Sequence, residues 1–173
     1  MNDELYLELK DTAWEFKGVD HDRLIARAIV FDDEKNLYFV RAVRDDAFGK
    51  CTLIETSGGG VEKGETPETA IIRELKEELG ADTEIVAKIG VVSDYYNLIR
   101  RHNINNYFLC KIVSFGEKHL MEDEINDFHL STLKLTFDEA EKEYFKRSST
   151  PLGSLIASRE LPVLRKAKDL LFS

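Results

Sequence analysis

Hydrophobic and polar positions divide this chain into several β-type runs and a few helical ones. The runs "LIARAIVF" (Leu24–Phe31) and "LYFVRAV" (Leu37–Val43) are rich in β-formers, and the polar stretch Asp32–Asn36 between them predicts a turn, so the pair reads as a hairpin. "CTLIET" (Cys51–Thr56) predicts a third strand that runs into glycines. "TEIVAKIGVV" (Thr83–Val92) and "NNYFLCKIVSF" (Asn105–Phe115) predict two more, joined by a polar loop, "SDYYNLIRRHNI". "KLTFDEAEKEYFKR" begins extended and turns helical, with Asp138 as the expected N-cap. A last helix is predicted over 157–172, broken at Pro162. Strands, one helix after the third, further strands and then helices make a mixed sheet covered by helices rather than a regular βαβ repeat.

The most patterned segment is "GGGVEKGETPETAIIRELKEELG", Gly58 to Gly80. Thr66 followed by Pro67 is a helix opening, a hydroxyl cap with proline at the first helical position, and Gly80 is a C-cap glycine. Ile71, Ile72, Leu75 and Leu79 share one face by their spacing. Glu74 and Glu78 lie one turn apart on the flank of that apolar stripe, with Glu77 beside them. Three carboxylates at the edge of a buried face repel one another unless a cation stands among them. All-oxygen donors of this kind suit Mg²⁺ or Mn²⁺ rather than zinc. Glu65 can reach the same region or support it from outside, and Gly58 and Gly59 allow backbone groups to approach a metal or a phosphate closely. The competing reading is a solvated acidic helix face paired by Arg73 and Glu77. The glycines follow neither the dinucleotide-binding spacing nor that of a phosphate-binding P-loop.

Composition narrows the classes. One domain over 1–173 is expected, with 1–20 as an arm or extra strand pair and 136–173 as C-terminal helices. A formal charge of −9 argues against bulk nucleic-acid binding, yet a divalent cation can bridge an acidic protein to a phosphate-bearing ligand. The two cysteines, Cys51 and Cys110, sit in apolar stretches without metal-type spacing and read as buried thiols. The acidic N-terminus is unlike a signal peptide, and no apolar run approaches a membrane span, so the expectation is a cytoplasmic chain without a membrane partner.

Gly59, Glu65, Arg73, Glu74, Glu77, Glu78 and Gly80 at these intervals would arise by chance at about 10⁻⁸ per window if each residue type has ~7% usage, so accident is set aside. The segment resembles the Nudix box, the signature of the Nudix hydrolase superfamily. Ala81 stands where a bulkier aliphatic is usual, and Ser57 where a proline often precedes the glycines. The resemblance implies an α/β/α sandwich with a mixed β-sheet and a loop–helix–loop that binds divalent cations, usually Mg²⁺, with Mn²⁺ as a substitute. Carried onto this chain, it implies Glu77 and Glu78 as metal ligands, Glu74 as a ligand or the base, Arg73 as the residue orienting the carboxylates, and the carbonyl of Gly58 or Gly59 as a further ligand. A distant glutamate often supplies a ligand or the base, and "GEKHLMEDEIND" makes Glu122 and Glu124 the first choices.

The implied reaction is hydrolysis of a phosphoanhydride in a nucleoside diphosphate linked to another moiety, such as an NDP-sugar or an ADP-ribose-like compound. Arg44 and Glu55 occupy places similar to an arginine and a glutamate that recur in the ADP-sugar branch, and Arg41 or Arg44 could grip a phosphate. Asn97 stands where many ADP-ribose hydrolases carry a proline, which counts against ADP-ribose itself. Tyr95 and Tyr96 could stack on a base, with core or rim packing as the competing role. Arg100, Arg101 and His102 form a basic island that reads equally as a phosphate contact or as surface charge. The rival functions are a house-cleaning nucleoside triphosphate pyrophosphatase and a non-catalytic nucleotide-sensing module; the intact box argues against the second. Family members often form homodimers, to which residues 1–20 could contribute.

Overall fold

The computed structural model describes residues 3–116 and 131–173. Strands β1 (Leu5–Glu8), β2 (His21–Phe31), β3 (Leu37–Asp46), β4 (Gly49–Glu55), β5 (Ser57–Gly60), β6 (Ala81–Tyr96), β7 (Arg101–Phe115) and β8 (Ser131–Leu135) form one mixed sheet. The path runs β1-β6-β7-β2-β3-β4, with β5 also on β2 and β8 also on β3. The β1–β6 and β2–β7 pairs are parallel and the others antiparallel.

Helix α1 (Pro67–Leu79) packs Ala70, Ile71, Leu75 and Leu79 against Ala26, Ala28, Val30 and Phe108 on one face of the sheet. Helices α2 (Phe137–Arg147) and α3 (Pro151–Phe172) bury Phe137, Tyr144, Ile156 and Leu164 against Ile29, Phe39, Leu53 and Leu109 on the other. The result is the expected α/β/α sandwich. Among the described residues no helix is long and apolar enough to cross a membrane.

Helix α1 begins and ends where its caps require. The Thr66 side chain accepts from Thr69 N, Pro67 follows, and Gly80 closes the helix at φ 65°. Ile72, expected on the apolar face, is instead 38% exposed, because Ile71 and Leu75 already fill the strip against β2.

Other expectations need correction. The cap of α2 is Thr136, not Asp138: its hydroxyl accepts from Glu139 N while the Glu139 carboxylate accepts from Thr136 N. Asp138 sits in the first turn, where its charge favours the helix dipole. Helix α3 runs unbroken through Pro162, since Leu161, Val163 and Leu164 around it are all buried and packing outweighs the local cost of about 3 kcal/mol. The polar loop expected over 93–104 is mostly strand: β6 continues to Tyr96, a single 3₁₀ turn (Asn97–Ile99) follows, and β7 starts at Arg101. Asp94, Asn97 and Asn103 within it are buried, and the neighbouring Asn105 donates to Val92 O and to Asp94 Oδ1, both at 2.9 Å. The N-terminal segment contributes one strand, β1, and then packs along the hairpin end, with Asp11 accepting from Asn97 N at 2.8 Å.

One feature of the register creates the site. β2 and β3 pair only at Val30–Tyr38 and Phe31–Leu37, after which β3 continues with β4 while β5 takes the vacated edge of β2 at Ile25–Ala28. The sheet splits there, and the opening is lined by side chains of β2, β3 and β4 and by the glycines of β5.

Candidate active site

The cation among the clustered glutamates is, within the chain itself, Arg73. Its Nε and Nη2 donate to the two oxygens of Glu65 at 2.8 and 2.7 Å. Nη1 donates to Glu74 at 2.8 Å and to Glu77 at 3.3 Å, and Nη2 reaches the Gly60 carbonyl at 3.1 Å. The hydrogen bond from Arg73 is the largest influence holding the Glu65 carboxyl down at about 2, and the same bond raises Arg73 above its ordinary value.

Glu78 turns the other way. It is 6% exposed, and its Oε2 accepts from Gly58 N at 3.1 Å and from Ser57 Oγ at 3.3 Å. Arg73 thus holds Glu74 and Glu77, and the Ser57–Gly58 donors hold Glu78. Among the described residues no three His, Cys, Asp or Glu side chains form a ready metal cage. Glu74 nevertheless lies against the glycine run, because a Cβ added to Gly59 would fall 2.5 Å from Glu74 Oε1. Glu74 and Glu78 thus approach Gly59 and Gly58, leaving carboxylate and carbonyl oxygens as the donor set. That set fits a hard divalent cation. Glu65, expected as a ligand or supporting residue, is committed to Arg73 and to Glu62 N.

The split between β2 and β3 opens a cavity of about 240 Å³ with Gly58, Gly59 and Glu78 in its wall. Arg23, Arg27, Arg44 and Arg101 line it together with Glu55, Phe48 and Tyr96. Burial and the neighbouring Arg23 lower the Arg101 guanidinium to about 10, while burial and Arg27 lower Arg23. Like charges held close in a partly dry cavity favour an anionic ligand that relieves them. Arg44 is braced by Asp46 at 2.7 Å, and Phe48 meets Tyr96 edge-on at 5.7 Å.

The residues singled out from the sequence divide accordingly. Glu55, Arg44 and Tyr96 line the cavity. Arg41 does not: it alternates with Val40 and Ala42, is exposed, and donates to Ser131 Oγ at 3.2 Å. Tyr95, one residue from Tyr96, faces the opposite side and stacks on His102 at 4.7 Å beside a second cavity lined by Phe16 and Val19. Glu122 and Glu124 lie outside the described residues. Of the basic island, Arg101 reaches the cavity, whereas Arg100 pairs with Asp20 and His102 with Asp22.

Sequence reading missed Arg23, Arg27, Phe48, Arg159 and Glu160. Arg23 and Arg27 carried a signal, since positions i and i+4 of a strand share a face. Arg159 and Glu160 also stood out as a charged pair inside the apolar run "LIASRELPVL". Both are fully buried. Arg159 donates to Tyr96 Oη at 2.8 Å and to Asp94 at 3.2 Å, and lies 3.4 Å from Glu55.

The family model described as "NUDIX domain" matches residues 21–151, which contain this glycine run, helix and cavity wall. The chain belongs to the Nudix family. An ADP-ribose pyrophosphatase of Methanocaldococcus jannaschii is 33% identical over 131 residues, covering 73% of this chain and 75% of that protein. An RNA pyrophosphohydrolase of Nitratiruptor sp. is 35% identical over 100 residues, covering 51% of this chain and 63% of the relative. The 8-oxo-dGTP diphosphatase of Escherichia coli is 38% identical over 56 residues, covering 32% of this chain and 42% of the relative. Among solved structures, a NUDIX hydrolase from Nitrosomonas europaea superimposes with a TM-score of 0.61 at 17% identity, covering 79% of this chain and 86% of that one.

The chain is thus a Nudix hydrolase of pyrophosphatase type, from a family whose members generally use divalent cations. Residues 1–20 and nearly all of α3, with Arg159 and Glu160, lie outside the segment that the family model matches.

Proposed function

We propose that this Nudix hydrolase cleaves, with Mg²⁺, the phosphoanhydride of a nucleoside diphosphate linked to another moiety. The observation that carries the reading is the arginine-lined cavity adjoining Gly58, Gly59 and Glu78. Arg23, Arg27, Arg44 and Arg101 hold the diphosphate oxygens, where planar guanidinium forks suit paired phosphate contacts. Phe48 and Tyr96 flank the nucleobase or the sugar, and Glu55 accepts from a hydroxyl. Glu74, Glu77, Glu78 and a Gly58 or Gly59 carbonyl would hold the cation, which would supply neutralisation of phosphate charge and a more acidic water.

Water attacks phosphorus, the P–O bond to the bridging oxygen breaks, and the water's proton passes to a carboxylate. The closeness of Glu74 to Gly59 supports it as that carboxylate. Arg73 orients Glu74 and Glu77 toward the glycine run. The match to an ADP-ribose pyrophosphatase over 131 residues supports an NDP-linked substrate, whereas matches to 8-oxo-dGTP diphosphatases span 56 and 85 residues.

The test is incubation, with and without Mg²⁺, against nucleoside triphosphates, ADP-ribose, ADP- and UDP-sugars, dinucleoside polyphosphates and 5′-capped RNA. Metal-dependent release of two nucleoside- or sugar-monophosphate products from the NDP-linked compounds is expected. Pyrophosphate release from triphosphates alone would move the chain to the house-cleaning reading. Tight binding without turnover would replace catalysis with sensing.

A further inference from the structure

Glu160 is fully buried and accepts from Thr56 N at 2.7 Å and from Thr56 Oγ1 at 2.8 Å. It also accepts from the hydroxyls of Tyr107 and Tyr144. Two residues farther along the chain, the Gly58 amide donates to Glu78. Carboxylates from α3 and α1, which cover opposite faces of the sheet, thus grip residues 56 and 58 of one short segment. Beside Glu160, Arg159 holds Tyr96, Asp94 and Glu55, and its Nε lies 3.8 Å from Glu160 Oε2.

A buried charged pair is a poor device for stability alone, because apolar residues of similar volume often serve as well or better. Besides Asp94, Tyr107 and Tyr144, this pair holds Thr56, which leads into the glycine run, and Glu55 and Tyr96, which border the cavity.

We propose that Glu160, braced by Arg159, is a positioning residue for the hydrolysis: by holding Thr56 it fixes the glycine run against which Glu78 and Glu74 rest. The inference depends on the reading above that these two carboxylates serve the chemistry. Glu160 touches no reacting atom; it acts through Thr56, Ser57 and Gly58. Arg159 does the same for the opposite wall, through Glu55 and Tyr96.

The test compares Glu160→Leu, Glu160→Gln and Thr56→Val in the full chain, by Mg²⁺-dependent turnover of ADP-ribose and by amide hydrogen exchange. Glu160→Leu keeps the volume and removes the acceptors. It should lower kcat by about tenfold or more while KM stays within about threefold, as expected for a misplaced catalytic group. The Gly58 amide should exchange about tenfold faster while amides in the middle of β7 keep their protection. Glu160→Gln retains an acceptor for Thr56 N and should recover most of both.

Unchanged Gly58 exchange and kcat in Glu160→Leu would overturn the proposal. So would equal loss of protection across the sheet, since that marks a purely structural residue. Should Glu160→Leu fail to fold, Thr56→Val removes only the hydroxyl contacts and should show the same pattern in weaker form. A wild type inert toward every compound would sink the hydrolysis reading, while the exchange comparison still decides whether Glu160 fixes the glycine run.

Discussion

Gly58 and Gly59 are neighbours, yet alanine at each should fail for opposite reasons. A Cβ on Gly59 would fall 2.5 Å from Glu74 Oε1, and its three nearest atoms all belong to the Glu74 carboxylate. That carboxylate ends a flexible side chain, so it can retreat. Moving from 2.5 Å to an ordinary contact of 3.4 Å is a shift of about 0.9 Å. The stability cost is small: an off-rotamer side chain costs ~0.5–1.5 kcal/mol, and alanine in an extended strand returns ~0.4–1 kcal/mol through the unfolded chain. The catalytic cost is not small, because a displacement near 1 Å can slow a reaction by about 10²-fold.

At Gly58 the Cβ would instead meet the Ala26 carbonyl oxygen at 2.1 Å, in a backbone held at φ 154°. Here the obstacle is the backbone of β2, so the fold must give, at ~1–3 kcal/mol or more. Urea melts and Mg²⁺-dependent initial rates on ADP-ribose separate the two. Gly59→Ala should melt within about 1 kcal/mol of wild type and lose about 10²-fold in kcat, and Gly58→Ala should lose stability first. A Gly59→Ala protein with wild-type kcat would refute the placement of Glu74 over that glycine as catalytically relevant. One that melts as early as Gly58→Ala would refute the distinction between a side-chain and a backbone obstacle.

Glu78→Gln keeps an acceptor for Gly58 N, so it should fold with a wild-type melt and lose nearly all Mg²⁺-dependent turnover; retained turnover would remove Glu78 from the metal set. Arg23→Gln and Arg101→Gln each remove one cation from the cavity wall and should raise KM for an NDP-linked substrate about tenfold with a smaller change in kcat, measured by initial rates. Glu65 is a carboxylate depressed from 4.5 to about 2, so its contribution to stability is complete above 4.5 and disappears as pH falls through about 2. Arg73→Met should bring the Glu65 carboxyl back toward 4.5, followed by carboxyl NMR; an unmoved titration would show that Arg73 is not the cause.

Much of this protein was legible without coordinates because its signals are local. The hairpin of β2 and β3, the caps Thr66 and Gly80, and the glutamate spacing of α1 depend on residues a few positions apart. The polar strand ends at Asp94 and Asn103 were not legible, because such residues read as loop until a buried polar network across the sheet is known to receive them. Pro162 read as a break for the same reason, its helix being held by tertiary packing that local propensity does not contain. In the site, the sequence determined which carboxylates share a helix flank. Only the tertiary structure decided that Arg73 gathers Glu65, Glu74 and Glu77 while Glu78 turns to Gly58. It also separated Tyr96 and Arg44, inside the cavity, from Tyr95 and Arg41 outside it. The physical reason is that side-chain direction follows strand register, and this register is set by β2 parting from β3 after two residue pairs to accept the glycine run.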